Sequence, residues 1–95
     1  MNSKDKKNKV WFVYILRCSD DSLYTGMTSN IEKRLAAHNG GKAAKYTRSR
    51  RPVKLMATSA KMAKSDALRL EIKIKKQPRA KKIAALQMEI KILSV

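Results

Sequence analysis

Two tyrosines with the potential for shared chemistry, Tyr14 and Tyr24, lie in apolar segments on either side of the turn-forming sequence SDDS. The segments are residues 10–17 and 23–27, and their β-branched and aromatic residues predict two antiparallel strands. A tyrosine hydroxyl accepts a proton only if its pKa falls well below about 10, which nearby cations or a metal ion favour. Ordinary strand packing is the alternative explanation for both rings.

The geometry of a β-hairpin sets a condition for a shared tyrosine site. Side chains alternate between the two faces of a strand, so both rings share a face only if the loop contains an odd number of residues. A three-residue loop at 19–21 meets this condition, with Cys18 paired to Ser22 and an aspartate in the left-handed region. A two-residue Asp20–Asp21 turn would place the two rings on opposite faces of the sheet. We therefore expect an odd or bulged loop.

Three further residues, Arg34, His38 and Glu71, suit chemistry on phosphates or metal ions. Arg34 and His38 are four positions apart in a predicted helix and project from one face, where the arginine can donate two hydrogen bonds to a phosphate. Glu71, one of only seven acidic residues, could bind one hard cation through a carboxylate oxygen. The plain alternatives are a solvated charge for Arg34 and a helix-terminal residue for His38. For Glu71 the alternative is a surface ion pair with Lys75.

The helix that carries the arginine and the histidine is predicted directly after the second strand. Ser29 and Glu32 have the spacing of a capping box, which would start the helix. Gly40–Gly41 would stop it in the left-handed conformation. Ile31 and Leu35 share one face, which should contact the sheet and leave the arginine at the sheet's edge.

The second half of the chain completes an α+β pattern. Residues 42–51 are predicted to form a polar loop. Residues 52–58 are predicted to form a third strand with Pro52 at its start. Residues 64–76 form a helix, and Pro78 opens another. The order β-β-α-β-α-α predicts a small three-stranded antiparallel sheet flanked by helices. An amphipathic stripe on the last helix comprises Ile83, Leu86, Ile90 and Leu93.

Length and composition restrict the class of protein. The 95 residues suffice for one domain, predicted at residues 10–95 after a flexible basic tail at 1–9. A hydrophobic content of 43% allows a core, and no apolar run approaches the ~20 residues of a membrane span. The N-terminus has no apolar region of a secretory signal, which predicts a cytoplasmic protein. One cysteine and one histidine exclude an intrachain disulfide and a zinc site.

The charge favours a polyanionic partner. The chain has 23 Lys and Arg against 7 Asp and Glu, a net charge of +16. Nucleic acid is preferred over a merely solubilising surface or an anionic membrane. The charges form a loop cluster of Lys42, Lys45, Arg48, Arg50, Arg51 and Lys54, and a helix cluster of Lys73, Lys75, Lys76, Arg79, Lys81 and Lys82. The residues predicted to contact nucleic acid are Lys42, Lys45, Arg48, Arg50, Arg51, Lys75 and Lys76.

Together, these residues resemble the motifs of the GIY-YIG nuclease family. Its first motif matches FVY at 12–14, and its second matches YTG at 24–26. A helix with Arg34 and His38 follows, as EKRLAAHNGG. The segment KYTRSRRPVKL resembles the loop and third strand of the small single-domain members, and KSDALRLEIKIKK resembles the segment bearing the metal-ligand glutamate, here Glu71.

The resemblance covers about residues 10–83 and implies a nuclease that binds nucleic acid, more readily DNA, and cleaves phosphodiesters. It implies a single Mg²⁺ or Mn²⁺ ion held by Glu71. Among the catalytic residues, it implies Tyr24 as the general base, with Tyr14 assisting or positioning the water. Arg34 would bind the phosphate, and His38 would be a further member of the catalytic set.

Three positions depart from the family pattern: Phe12 replaces a glycine, Thr25 replaces an isoleucine, and Met27 stands where some members have a lysine. The missing lysine supports an alternative function, a nucleic-acid-binding module with weak or no activity that assists a DNA repair or processing complex. A third interpretation is a basic protein that docks to an acidic protein or a membrane surface. The lack of a helix with bulky aromatic residues on its apolar face argues against membrane docking.

Overall fold

The central strand of the sheet, β1, pairs antiparallel with both of its neighbours, which gives the strand order β2-β1-β3. The structure, a computed structural model, describes residues 9–94 and, of these, the side chains of residues 9–88. The predicted fold class and element order are confirmed, with one short helix added. The elements are β1 (Phe12–Arg17), β2 (Leu23–Thr28), α1 (Ile31–Asn39), α2 (Lys45–Arg48), β3 (Lys54–Thr58), α3 (Lys64–Lys75) and α4 (Arg79–Ser94).

The loop between β1 and β2 has the odd length that the shared tyrosine site requires. The backbone N–H of Cys18 donates to the carbonyl of Ser22 at 2.9 Å, which leaves the three residues 19–21 as the loop. Asp21 has φ = 66°, so an aspartate occupies the left-handed position. The prediction of an odd loop is confirmed, and both tyrosines of the hairpin point to the same face.

The two faces of the sheet bury separate apolar clusters, because successive side chains of β1 alternate between them. One face packs against α3 and α4. Its buried members are Val13, Ile15, Ala67, Leu70, Ile74 and Leu86. The other face packs against α1, with Ile31 and Leu35 in the predicted contact. Its buried members are Tyr14, Leu16, Cys18 and Val53.

The start of α1 differs from the predicted capping box at Ser29 and Glu32. Asn30 is the N-cap residue, and its side-chain oxygen accepts a hydrogen bond from the N–H of Lys33 at 3.0 Å. Asparagine is among the strongest N-cap residues. The hydroxyl of Thr28 accepts from the N–H of Asn30 at 3.1 Å, which fixes the chain as it leaves β2. The capping-box prediction was wrong by one position.

The segment after α1 is more structured than predicted. Gly41 has φ = +77° and supplies the left-handed stop, whereas Gly40 has φ = −82° and stays right-handed. The predicted loop at 42–51 contains α2, whose single turn is too short to show a helical period in the sequence. This turn buries Thr47.

The third strand begins later than predicted, after Pro52 rather than at it. Val53 is held by the end of α1: its N–H donates to the side-chain oxygen of Asn39 at 2.8 Å, and its carbonyl accepts from the Asn39 amide at 3.2 Å. Both backbone groups are thus satisfied by a side chain instead of by β1. Strand pairing starts only at Lys54, opposite Arg17.

The last two helices lie close to their predicted bounds. Lys82 on α4 donates to the carbonyls of Ile74 and Lys75, at 3.0 and 2.9 Å, and so caps the end of α3. In the predicted stripe, Leu86 is fully buried and Ile83 packs beside it. The other two residues of that stripe, Ile90 and Leu93, have side chains outside the described part of the structure. Most of the predicted basic tail also lies outside it. Over residues 9–94, none of the helices is long and apolar enough to cross a membrane.

Candidate active site

Tyr14 lies directly opposite Gly26 in the β1–β2 ladder, and its ring crosses over the glycine. A Cβ atom at position 26 would lie 2.6 Å from Tyr14 Oη and 2.7 Å from Cζ. Tyr14 is only 2% exposed, so the ring has little space in which to move aside. The missing side chain at position 26 is therefore what allows the Tyr14 hydroxyl to reach beyond β2.

A chain of buried hydrogen bonds connects Tyr14 to α2. Tyr14 Oη lies 2.8 Å from His38 Nε2, and His38 Nδ1 lies 2.8 Å from Thr47 Oγ1. The Thr47 hydroxyl donates its one proton to the carbonyl of Ala44 at 3.2 Å, so its oxygen must accept from His38 Nδ1–H. A neutral His38 then accepts at Nε2 from the Tyr14 hydroxyl. Every donor and acceptor along the chain is matched.

Arg34 lies beside this chain at its outer end, where its guanidinium is close enough to the Tyr14 hydroxyl to lower the pKa of the phenol. Burial raises the pKa of Tyr14 to about 12, with smaller contributions from the charges of Tyr24 and Glu71, and the nearby Arg34 guanidinium acts in the opposite direction. Tyr14 therefore keeps its proton near neutral pH. Arg34 itself is exposed, as the prediction of a position at the sheet's edge requires.

His38 is held in its neutral form. Its side chain is fully buried, and burial lowers its pKa below 6.5, assisted by the charge of Arg34. The helix-terminal position alone would raise the pKa of a histidine, so burial outweighs the helix dipole here. The neutral imidazole is the state that the hydrogen-bond chain needs.

Stability is expected to depend on His38 as the pH falls. Because the pKa of His38 is lowered in the folded state, the unfolded chain binds the proton more readily. The contribution of this residue is fully present above the unfolded pKa of about 6.5 and is lost as the pH falls towards the folded value. Urea unfolding at several pH values between about 5 and 7.5 should show this loss in the native protein. The unfolding free energy should fall less steeply with decreasing pH in His38→Gln than in the native protein. Equal slopes in the two proteins would show that His38 is not the group responsible.

Tyr24 completes the aromatic part of the site. Its ring centroid lies 5.0 Å from that of His38 and 6.4 Å from that of Tyr14. Tyr24 is half-buried, so it is the more accessible of the two tyrosines. The hairpin thus brings both rings and the histidine together, as the parity condition predicts.

Adding a methyl group at Gly26 is expected to disrupt this arrangement. In Gly26→Ala the new Cβ would overlap the Tyr14 ring and separate its hydroxyl from His38. Overpacking of this kind costs about 1–3 kcal/mol of unfolding free energy, which urea denaturation can measure. Gly40→Ala is the matched control, because its Cβ would lie 3.3 Å from the Ala36 carbonyl, outside the site. A similar loss in both variants would show that Tyr14 is not specifically displaced.

Glu71 lies on α3, the helix that packs against β2 and β1. Its side chain is 15% exposed, and its Oε2 lies 3.6 Å from the Lys75 ammonium. It is near enough to Tyr14 for its charge to oppose ionisation of the phenol. Among residues 9–88, no group of three or more His, Cys, Asp or Glu side chains is placed to hold a metal. A lone, partly buried carboxylate fits a hard cation such as Mg²⁺ that keeps most of its waters.

The basic residues predicted to bind nucleic acid are on the surface, and two of the arginines also organise the loop. Arg50 donates to Asp20, and Arg51 donates to backbone carbonyls. Arg79 donates to the carbonyl of Asp21, so the hairpin loop contacts both the loop cluster and the helix cluster. The exposed members of the predicted set are Lys42, Lys45, Arg48, Arg51, Lys75 and Lys76.

Comparison with known sequences gives a consistent match. The family model described as GIY-YIG catalytic domain matches residues 10–84. A UPF0213 protein of Syntrophus aciditrophicus is 54% identical over 77 residues, which is 80% of this chain and 88% of the relative. UPF0213 protein SH2523 of Staphylococcus haemolyticus is 49% identical over 76 residues, 80% of this chain and 93% of the relative.

Solved structures agree with the sequence comparison. The solution NMR structure of protein EF2693 from E. faecalis is 40% identical, with a TM-score of 0.59 over 86% of this chain and 88% of that one. The solution NMR structure of UPF0213 protein BH0048 from Bacillus halodurans is 41% identical, with a TM-score of 0.51 over 84% and 85% of the two chains. With a family match over most of its length and relatives of this similarity, the chain belongs to the GIY-YIG family of nuclease-type domains, together with the UPF0213 proteins.

Proposed function

We propose that this protein is a metal-dependent nuclease that binds nucleic acid, preferentially DNA, and hydrolyses phosphodiester bonds. The observation that carries the proposal is the hydrogen-bond chain from Tyr14 through His38 to Thr47, with the Arg34 guanidinium beside its outer end. This chain ends in the core, and it fixes the Tyr14 hydroxyl beside an exposed guanidinium in a protein with a net charge of +16. Preorganised donors of this kind stabilise charge that develops on a phosphate.

Arg34 is the phosphate-binding residue in this proposal. A guanidinium has five N–H donors, so an interaction with the Tyr14 hydroxyl leaves others for phosphate oxygens. The fixed Tyr14 hydroxyl orients the guanidinium, and His38 in turn orients the hydroxyl. Tyr14 and His38 are thus positioning residues.

Tyr24 is the general base. It is more exposed than Tyr14, so its hydroxyl is the one that a water molecule beside the phosphate can reach. In this role the Tyr24 oxygen takes a proton from the water as the water's oxygen bonds to phosphorus and the bond between phosphorus and the leaving sugar oxygen breaks. Tyr14, whose pKa is raised to about 12, keeps its proton and holds the geometry.

Glu71 would hold one Mg²⁺ or Mn²⁺ ion, with the substrate's phosphate and water completing the ligand set. A bound ion of this kind neutralises charge on the phosphate and assists the leaving oxygen. Lys75 contacts the same carboxylate at 3.6 Å and balances its charge.

A nucleic-acid-binding module with weak or no activity is the second candidate, and Met27 favours it. The side chain of Met27 packs against the apolar cluster under α3 and α4, so this position supplies no cation to Tyr24. In that case the protein would assist a DNA repair or processing complex. That role and a cytoplasmic location remain predictions from the sequence.

A cleavage assay separates the two candidates. Purified protein is incubated with plasmid, branched and single-stranded DNA in Mg²⁺, Mn²⁺ or EDTA, beside Tyr24→Phe and Arg34→Gln. We expect metal-dependent cleavage by the native protein and strong loss in both variants. Arg69→Gln is the control, since Arg69 is an exposed arginine on α3 paired with Asp66. Cleavage by all variants alike would indicate a contaminant, and binding without cleavage would favour the second candidate.

A further inference from the structure

An aromatic side chain outside the catalytic set, Tyr46 on α2, extends the aromatic cluster to the protein surface. Its ring centroid lies 6.0 Å from that of Tyr24, with 30° between the planes, and the residue is 39% exposed. The guanidinium carbon of Arg50 lies 4.1 Å from the Tyr46 ring centroid. We call Tyr46 and Arg50 together the stacking surface. It continues the row of rings that begins at Tyr14 and Tyr24.

Arg50 is fixed in place over the ring. Its Nε donates to Asp20 Oδ2 at 3.0 Å, and its Nη1 donates to the carbonyl of Tyr46 at 2.9 Å. Asp20 is itself held by Ser22, whose hydroxyl and N–H both donate to Oδ1. A guanidinium anchored at its edge in this way presents its flat face, which is the part that stacks on nucleobases.

A cleft beside the stacking surface offers room and charge for a nucleotide. Its volume is about 530 Å³, within the range of small-molecule sites. Exposed lysine and arginine side chains at its rim can neutralise phosphates on either side of a base. The lining residues are Lys45, Tyr46, Arg48, Ser49 and Arg50.

We propose that the stacking surface binds an unpaired nucleobase next to the phosphate at the candidate active site, so that the substrate is single-stranded nucleic acid. This inference rests on the proposed nuclease function, whose site it extends. A base within a duplex is stacked on both neighbours and offers a protein only its edges and backbone. A splayed, unpaired base offers its face, and aromatic and guanidinium planes bind such faces with little regard to sequence.

Binding without metal tests this inference separately from cleavage. Fluorescence anisotropy in EDTA compares a labelled single strand with a duplex of the same sequence, in DNA and in RNA. For DNA, for RNA or for both, we expect the single strand to bind about tenfold more tightly than the duplex of the same sequence. Tyr46→Ala should weaken single-strand binding about tenfold, the loss typical of one stacked base, whereas Tyr46→Phe should retain it. The slope of affinity against salt should not change in Tyr46→Ala, because no phosphate contact is lost.

A spectroscopic readout detects stacking directly, without relying on a change in affinity. A 2-aminopurine placed in the single strand should lose fluorescence on binding if its face stacks on the surface, and should keep it in complexes of Tyr46→Ala. Equal affinity for single strand and duplex, or native-like binding by Tyr46→Ala, would overturn the inference. Cleavage plays no part in either measurement, so an inactive protein that shows stacking would refute the nuclease function alone.

Discussion

Replacing Glu71 with glutamine is expected to reduce metal-dependent cleavage by about 10²–10³-fold, the usual loss when one group that stabilises transition-state charge is removed. Glutamine preserves the size of the side chain and removes only its charge. Within the described residues, no group of three or more His, Cys, Asp or Glu side chains surrounds a metal position, so the charge of Glu71 is not backed by a cluster of acids. The measurement is the single-turnover cleavage rate at saturating Mg²⁺, with the same assay in Mn²⁺.

The matched control is Glu32→Gln, which makes the same change at an exposed acid in the first turn of α1. Glu32→Gln should cleave at the native rate. Binding of DNA in EDTA should be undiminished in Glu71→Gln, because the substitution removes a negative charge from a surface that attracts phosphates. Loss of DNA binding together with cleavage would indicate that Glu71 supports the fold, and unchanged cleavage would remove it from the mechanism.

The hairpin shows how far sequence reasoning reaches at this site. The even spacing of Tyr14 and Tyr24 and the alternation of strand side chains predict an odd loop, and the structure has one at residues 19–21. Likewise, the helical spacing of Arg34 and His38 predicts their common face. Both predictions rest on the local periodicity of a strand or a helix, which can be recognised in the sequence itself.

The features that sequence reasoning missed depend on contacts between distant segments. Thr47 orients His38 from a single helical turn that has no visible period, and nothing in the sequence marks this threonine as a partner. Gly26 is recognisable as a motif residue, but its reason, the Tyr14 ring above it, appears only in the structure. The late start of β3 also depends on a contact between distant segments, because the side chain of Asn39 hydrogen-bonds to the backbone N–H and carbonyl of Val53.

Removing the hydroxyl of Tyr14 is expected to lower both stability and activity. Tyr14→Phe leaves the buried Nε2 of His38 without its donor, which costs about 1–3 kcal/mol of unfolding free energy. It also releases the Arg34 guanidinium from the group that orients it, and we expect cleavage to fall about 10²-fold. Thr58→Val is the control, because it removes a hydroxyl from β3, where the Thr58 side chain donates to the carbonyl of Ser59 and bonds to no other group within the described residues.

A double-mutant cycle determines whether Tyr14 and His38 act as one unit. If the hydrogen-bond chain positions Arg34, breaking it at either residue should have the same consequence. His38→Gln combined with Tyr14→Phe should then be little slower than either single variant. Effects that multiply would show that the two side chains act independently and would contradict the positioning role. The KM for DNA is informative as well: a guanidinium that only binds the phosphate would change KM, whereas one aligned on the transition state changes kcat.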